Sequence, residues 1–260
     1  MTDFQWKVFC EFREELKNQI KKWSEMIPNL QELQKDAAEY FKIPEYSFET
    51  PIVYNSDLDN FTKDDEIKLI VIGDNPGKDE QLKKNQKYLV GQAGKIAEGF
   101  FRRNPELNID FRKNVIILNK TPIHSAKTVQ LKFIVKNGGK KVESLLLESQ
   151  LWMAEKTAKL HSLLNKDSHT ELWIVGYSEL KEKRIFVPYK NKLLENYKEN
   201  FKKDWNDVFV FQHFSMNRFS IDLQNFRNEH SEEKNLLENI HTIGKNHKEE
   251  IFGNIMKYNE

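Results

Sequence analysis

The chain has almost no cysteine. Cys10 is the single thiol in 260 residues. That excludes an intramolecular disulfide framework, a zinc site built on cysteines and an iron–sulfur cluster held by them. An excess of either charge is also missing: 41 lysines and arginines stand against 40 aspartates and glutamates, a formal net charge of +1. No global field draws in a polyanion, so any affinity for nucleic acid has to come from a local basic patch. No apolar run approaches the roughly 20 residues that span a bilayer. The segment MTDFQWKVFCEF lacks the basic stretch and apolar core of a secretory signal. A soluble, cytoplasmic protein without membrane contact is therefore expected. No segment fits G-x-x-x-x-G-K-[ST] or G-x-G-x-x-G, which counts against a nucleotide-binding α/β protein or a phosphotransferase. Internal repeats and low-complexity tracts are absent too.

What is present is enough to bury a core: 38% apolar and 12% aromatic residues, with 18 Phe and 5 Trp. Residues 1–45 carry Phe4, Trp6, Val8, Phe9, Phe12, Leu16, Ile20, Trp23, Ile27 and Leu30 at roughly helical spacing. They predict a helical extension, broken near Pro28, packed on the core. Residues 46–65 are polar and irregular and read as a loop or linker. Strands are then expected at Lys68–Ile72, Val115–Leu118, Glu171–Val175 and Val208–Phe211. They alternate with helices over about Gln92–Arg103, Glu143–Leu164 and Asn191–Lys203, and with loops at 73–91, 119–140 and 212–220. This pattern predicts a single three-layer α/β/α domain with a central, mainly parallel four-stranded sheet. Its core covers about residues 65–225, and a mostly helical tail runs over 226–260.

The most informative segment is Ile67–Glu80, IKLIVIGDNPGKDE. A run of branched apolar residues fits a buried parallel strand. It ends abruptly in Gly73-Asp74-Asn75-Pro76-Gly77, with Gly77 tolerant of unusual φ and Pro76 stiffening the turn. Open α/β sheets place their ligand sites at the carboxyl ends of the strands. Asn119 closes the second strand there, and Gln212-His213-Phe214-Ser215 follows the fourth. An acid or amide, a second amide and an imidazole are thus expected around one pocket. Each has a plainer reading: Asn119 satisfying backbone groups in a turn, His213 in a structural role, Asp74 as a cap. Basic residues gather nearby. Phe111 to Val142 holds Arg112, Lys113, Lys120, Lys127, Lys132, Lys136, Lys140 and Lys141 and no acid, and loop 78–91 adds Lys78, Lys83, Lys84 and Lys87. Both runs are expected on the rim of that pocket, facing phosphates rather than only solvent.

In these segments the sequence resembles the uracil-DNA glycosylase superfamily. Gly73-Asp74-Asn75-Pro76-Gly77 is similar to its first motif, G-x-x-P-G. Tyr88-Leu89-Val90-Gly91-Gln92-Ala93-Gly94 is similar to P-F-V-G-x-A-G, Val115–Asn119 to the strand ending in a base-reading asparagine, and His213-Phe214-Ser215 to H-P-S. Order and spacing over about residues 65–225 carry the likeness; a lone G-x-x-P-G would not. The resemblance implies a monofunctional enzyme, a monomer without cofactor or metal. It would hydrolyse the N-glycosidic bond of uracil, or a related deaminated base, flipped out of DNA. No lyase step is implied, because no lysine stands out as a Schiff-base nucleophile. Asn119 would read the base edge, with amide N–H and C=O matching uracil O4 and N3–H. His213 would donate to O2. Asp74 or Asn75 would position water; a carboxylate is the stronger partner for a cationic sugar, which favours Asp74. Gly73, Gly77 and Gly91 are the loop glycines. Ser215, Met216, Asn217, Arg218, Lys120 and Lys127 would contact DNA.

The chain also departs from the family pattern. Leu89 stands where an aromatic would stack on the base, leaving Tyr88 as a substitute. Phe214 replaces the proline after the histidine. Asn217 falls where the family inserts an apolar wedge, so that Met216 or Phe219 would have to serve. A catalytically weak or inactive nucleic-acid-binding protein on the same fold is the alternative.

Overall fold

A computed structural model of the chain describes residues 1–166, 168–229 and 235–253. Four strands, β1 (Leu69–Gly73), β2 (Val115–Asn119), β3 (Glu171–Val175) and β4 (Val208–Phe211), form one sheet in the order β2-β1-β3-β4. All three pairings are parallel. Every strand residue is buried, as in a sheet covered on both faces. Side chains alternate between two cores. Ile70, Ile72, Ile116, Leu118, Leu172, Ile174, Val208 and Val210 face one. Leu69, Val71, Val115, Ile117, Trp173, Val175, Phe209 and Phe211 face the other. The expected three-layer α/β/α arrangement is what the chain adopts.

Helix α1 (Asp3–Met26) opens with a capping box: Gln5 N–H donates to the Thr2 hydroxyl and Thr2 N–H to the Gln5 side chain. Its buried face, Phe9, Phe12, Leu16, Ile20 and Trp23, recurs every three or four residues. Each fully buried side chain of this size is worth about 1.5–3 kcal/mol. With α2 (Leu30–Tyr40), α1 packs on α4 (Gln130–Asn165) and joins the first core. The break near Pro28 falls between α1 and α2, as the sequence suggested.

Helix α3 occupies Gln92–Arg103, as expected, but α4 begins at Gln130 rather than Glu143. Leu131 and Ile134 bury one face of that earlier turn, and the chain breaks only at Gly139, with φ +67°. Gly138-Gly139 reads as loop in sequence, which hid the helix before it. Helix α5 (Val187–Asn200) also starts early, with Pro188 in its first turn. Helices α6 (Arg218–Glu229) and α7 (Leu236–Phe252) cover the second face and supply most of the expected C-terminal helix; residues 230–234 and 254–260 of that tail lie outside the described residues. Among the described residues no helix is long and apolar enough to cross a membrane.

The connections set the site. After β1 the chain passes to α3 on one face, and after β3 to α5 on the other. Adjacent loops that leave in opposite directions open a crevice at the carboxyl edge between β1 and β3, where ligands bind in open α/β sheets.

Candidate active site

At that edge lies an open cleft of about 750 Å³, lined from all four strand ends. The β1 loop contributes Asp74, Asn75 and Gly77, and the following segment Leu89 and Gly91. The β2 end contributes Asn119, Ser125, Lys127 and Thr128. Gly176 and Glu179 come from β3, and His213, Ser215 and Met216 from β4. Three distant segments thus bring Asp74, Asn119 and His213 to one cavity, which is ample for a pyrimidine.

Register puts Asn119 there. Gly73 and Asn119 are Cα partners at the ends of β1 and β2. The Asn119 side chain is 2% exposed, and its Nδ2 has no hydrogen-bond partner. A buried unsatisfied N–H costs about 1–3 kcal/mol. The plainer reading, an amide spent on strand-end backbone, does not account for that free N–H.

Asp74 is held from beneath. Its Oδ1 accepts from Lys120 Nζ at 2.6 Å, and Lys120 also donates to Val175 O at 2.7 Å and Gly73 O at 3.4 Å. Lys120 has no exposed side-chain surface, so it does not contact DNA as the sequence suggested. Asp74 is likewise no cap. Gly176, at φ +86°, lies against the carboxylate, and a β-carbon there would stand 2.6 Å from Oδ1.

Asn75 is occupied. Its Nδ2 donates to Ser125 Oγ at 2.9 Å and Ser125 O at 3.1 Å, and its Oδ1 accepts from Thr128 Oγ1 at 3.0 Å. The amide ties the β1 loop to the β2 loop, which leaves Asp74 as the acceptor with a spare oxygen. Below it, His124 Nδ1 donates to Pro76 O at 2.9 Å and Nε2 accepts from Tyr46 at 3.0 Å. Burial pushes this histidine down to about 4, so it is a neutral strut.

His213 has its tautomer fixed by its neighbour. Nδ1 accepts the backbone N–H of Ser215 at 3.0 Å and the Ser215 hydroxyl at 2.7 Å. The hydrogen is therefore on Nε2. Burial lowers its pKa, against a raising influence from Asp74. The group is a neutral donor at neutral pH.

Leu89 lines the cleft, whereas Tyr88 does not. Tyr88 is 1% exposed, and its hydroxyl donates to Val53 O at 2.6 Å, so it is a core residue and no substitute stacking aromatic. Leu89 is held at φ +50°. Its N–H donates to Glu80 Oε1 at 2.6 Å and its carbonyl accepts from Arg112 at 2.5 Å. Glu80 also accepts from Gly77 N–H at 2.6 Å; burial raises its pKa to about 7, opposed by those N–H groups. It clips the two motif loops together.

Met216 is 74% exposed beside the cleft, and both it and Asn217 adopt positive φ, +55° and +56°. Such values are uncommon for non-glycine residues. Phe219, the other wedge candidate, is 3% exposed and packs on Phe100, Phe211, Phe214 and Trp173. It caps the core, and Phe214 fills the space beside it. Arg218 and Asn217 are exposed next to Met216.

The basic run of 111–142 is not one rim. Arg112 and Lys113 precede β2, and the Arg112 guanidinium is spent on Asp57 at 3.2 Å and on the Leu89 carbonyl at 2.5 Å. Lys120 is buried, Lys127 lines the cleft, and Lys132, Lys136, Lys140 and Lys141 are exposed along α4. Acids dominate the cleft walls, with Asp79, Glu80 and Glu179 joining Asp74 against Lys78 and Lys127. Sequence reasoning missed the β3 contribution and the buried Lys120. Gly176, directly after an apolar strand, was the available signal for the first.

No family model, curated protein or solved structure matches this chain.

Proposed function

We propose that the protein is a monofunctional DNA glycosylase that hydrolyses the N-glycosidic bond of uracil, or a related deaminated base, extruded from DNA. The observation that carries this reading is Asn119: a buried carboxamide with an unpartnered N–H in a cleft shared with Asp74 and His213. A carboxamide matches uracil O4 and N3–H together.

The remaining groups fit the charge flow. As the C1′–N1 bond breaks, its electron pair leaves on the base, and the sugar develops oxocarbenium character. His213 Nε2–H donates to the base O2, where negative charge grows; donors preorganised at developing charge are usually the largest catalytic contribution. Oδ2 of Asp74 holds water near C1′ and takes its proton as the C1′–O bond forms. The anionic base then takes a proton from solvent. The acids of the cleft suit a cationic sugar, and Lys127 and Arg218 suit flanking phosphates. Met216 would fill the gap left by the flipped nucleotide.

The test is a uracil-containing oligonucleotide, single- and double-stranded, treated with alkali after incubation. Strand cleavage well above that of Asn119→Ala is expected; cleavage equal to that background sinks the proposal. A non-catalytic DNA-binding role is favoured by one observation, that Leu89 rather than an aromatic ring faces the slot. Base–aromatic stacking is worth about 1–3 kcal/mol. That reading predicts salt-sensitive binding without base release.

A further inference from the structure

We propose that Lys120 is the positioning residue of this site, fixing Oδ1 of Asp74 from below so that Oδ2 is left for the reaction. The inference rests on the glycosylase reading for its activity readout, but the pair itself can be measured without it.

Three observations converge. Lys120 Nζ has three acceptors, Asp74 Oδ1, Val175 O and Gly73 O, which matches the three donors of an ammonium and no lone pair. Its backbone N–H also donates to Gly73 O at 3.0 Å, so main chain and side chain of one residue anchor the end of β1. The side chain is fully enclosed, with the Phe186 ring 5.3 Å from Nζ. A buried charge of this kind persists only when paired and hydrogen-bonded, and among the described residues Asp74 is its one carboxylate partner at bonding distance. Oδ2 of Asp74 has no hydrogen bond among the described residues. The charged and titratable groups around the pair are Glu179 on the β3 loop and His213 on the β4 loop. Desolvation lowers the Lys120 pKa, while Asp74 and Glu179 oppose that. Lys120 does not line the cleft, so it touches no substrate and acts through Asp74 alone.

The test uses the full chain with ¹³Cε-labelled lysine, Lys120→Arg serving to assign the Lys120 signal. Asp74→Asn should lower the Lys120 ammonium titration, since a nearby opposite charge favours the charged form. In Lys120→Met, single-turnover base release should fall by about tenfold or more while oligonucleotide binding stays within about threefold of wild type. Should Lys120→Met fail to fold, the titration in Asp74→Asn still decides. An unmoved Lys120 titration in Asp74→Asn overturns the proposal, and so does wild-type base release in a folded Lys120→Met. Borohydride trapping of Lys120 on an abasic product would also overturn it, because that needs a neutral, accessible amine. A wild-type chain that releases no base but shows the Lys120 shift would sink the glycosylase reading and leave the clamp intact.

Discussion

The side-chain oxygen of Asn119 stands closer than van der Waals contact to where a β-carbon on Gly73 would lie. The two residues are register partners at the ends of β1 and β2. Glycine at 73 is therefore required by the close approach of its neighbour's amide. Gly73→Ala should push the carboxamide out of position. Overpacking of this kind costs about 1–3 kcal/mol, so the melting temperature should fall by several degrees. Base release should fall to the level of Asn119→Ala. A folded Gly73→Ala with wild-type base release would show that Asn119 does not read the base.

His213 offers a spectroscopic check. With Nδ1 accepting from Ser215 N–H, the neutral ring should show the Nε2–H tautomer in ¹⁵N spectra, and burial should keep its titration below the ordinary 6.5. The ring ¹⁵N shifts should then stay level from about pH 7 to 8, where His213 remains a neutral donor. An Nδ1–H tautomer, or a titration above 7, contradicts the assigned role.

Far from the cleft, Lys248 sits 9% exposed on α7, donating to Trp205 O at 2.8 Å over the Trp205 and Phe209 rings. Burial pushes its pKa down to about 8. The unfolded chain keeps this proton until about 10.4, whereas the folded chain loses it near 8. Between those values the unfolded state binds more protons, so stability rises with pH. Replacing the ammonium by Lys248→Met should stabilise the fold at pH 7 by about 1–3 kcal/mol, on the scale of 1.36 kcal/mol per pH unit. The rise between pH 8 and 10 should flatten as well. Urea melts at pH 7 and 9.5 measure both; a destabilised, still pH-dependent variant refutes the account.

What could be read from sequence follows from how local its cause is. Four strands were legible because each is an apolar run ended by polar or turn residues. The loops after β1, β2 and β4 were legible because Asp74, Asn119 and His213 stand directly at strand ends. Side-chain direction was not. Tyr88 and Leu89 are adjacent and both buried, yet Leu89, at positive φ and pinned by Glu80 and Arg112, reaches the cleft lining whereas Tyr88 does not. Lys120 follows Asn119 and looked like one more basic residue in an acid-free run. Only the parallel pairing of β1 between β2 and β3 encloses it beneath Asp74. The choice between Asp74 and Asn75 was open for the same reason, since Ser125 and Thr128, which occupy the Asn75 amide, lie some 50 residues away.

If the proposed glycosylase reading holds, Met216 should separate a duplex-specific step from the chemistry. It is the exposed apolar residue of the β4 loop, held in a left-handed conformation beside the slot. In a duplex, extruding a base costs a few kcal/mol of unstacking, which an inserted apolar side chain offsets. A single strand has little stacking to lose. Met216→Ala should therefore slow single-turnover release from duplex DNA by about tenfold, the equivalent of 1.4 kcal/mol, and leave single-stranded release within about threefold. Met216→Leu should restore the duplex rate. Equal losses on both substrates would mean that Met216 shapes the His213 loop rather than replacing the flipped nucleotide, because a distorted Ser215–His213 contact would slow bond cleavage whatever the strandedness of the DNA.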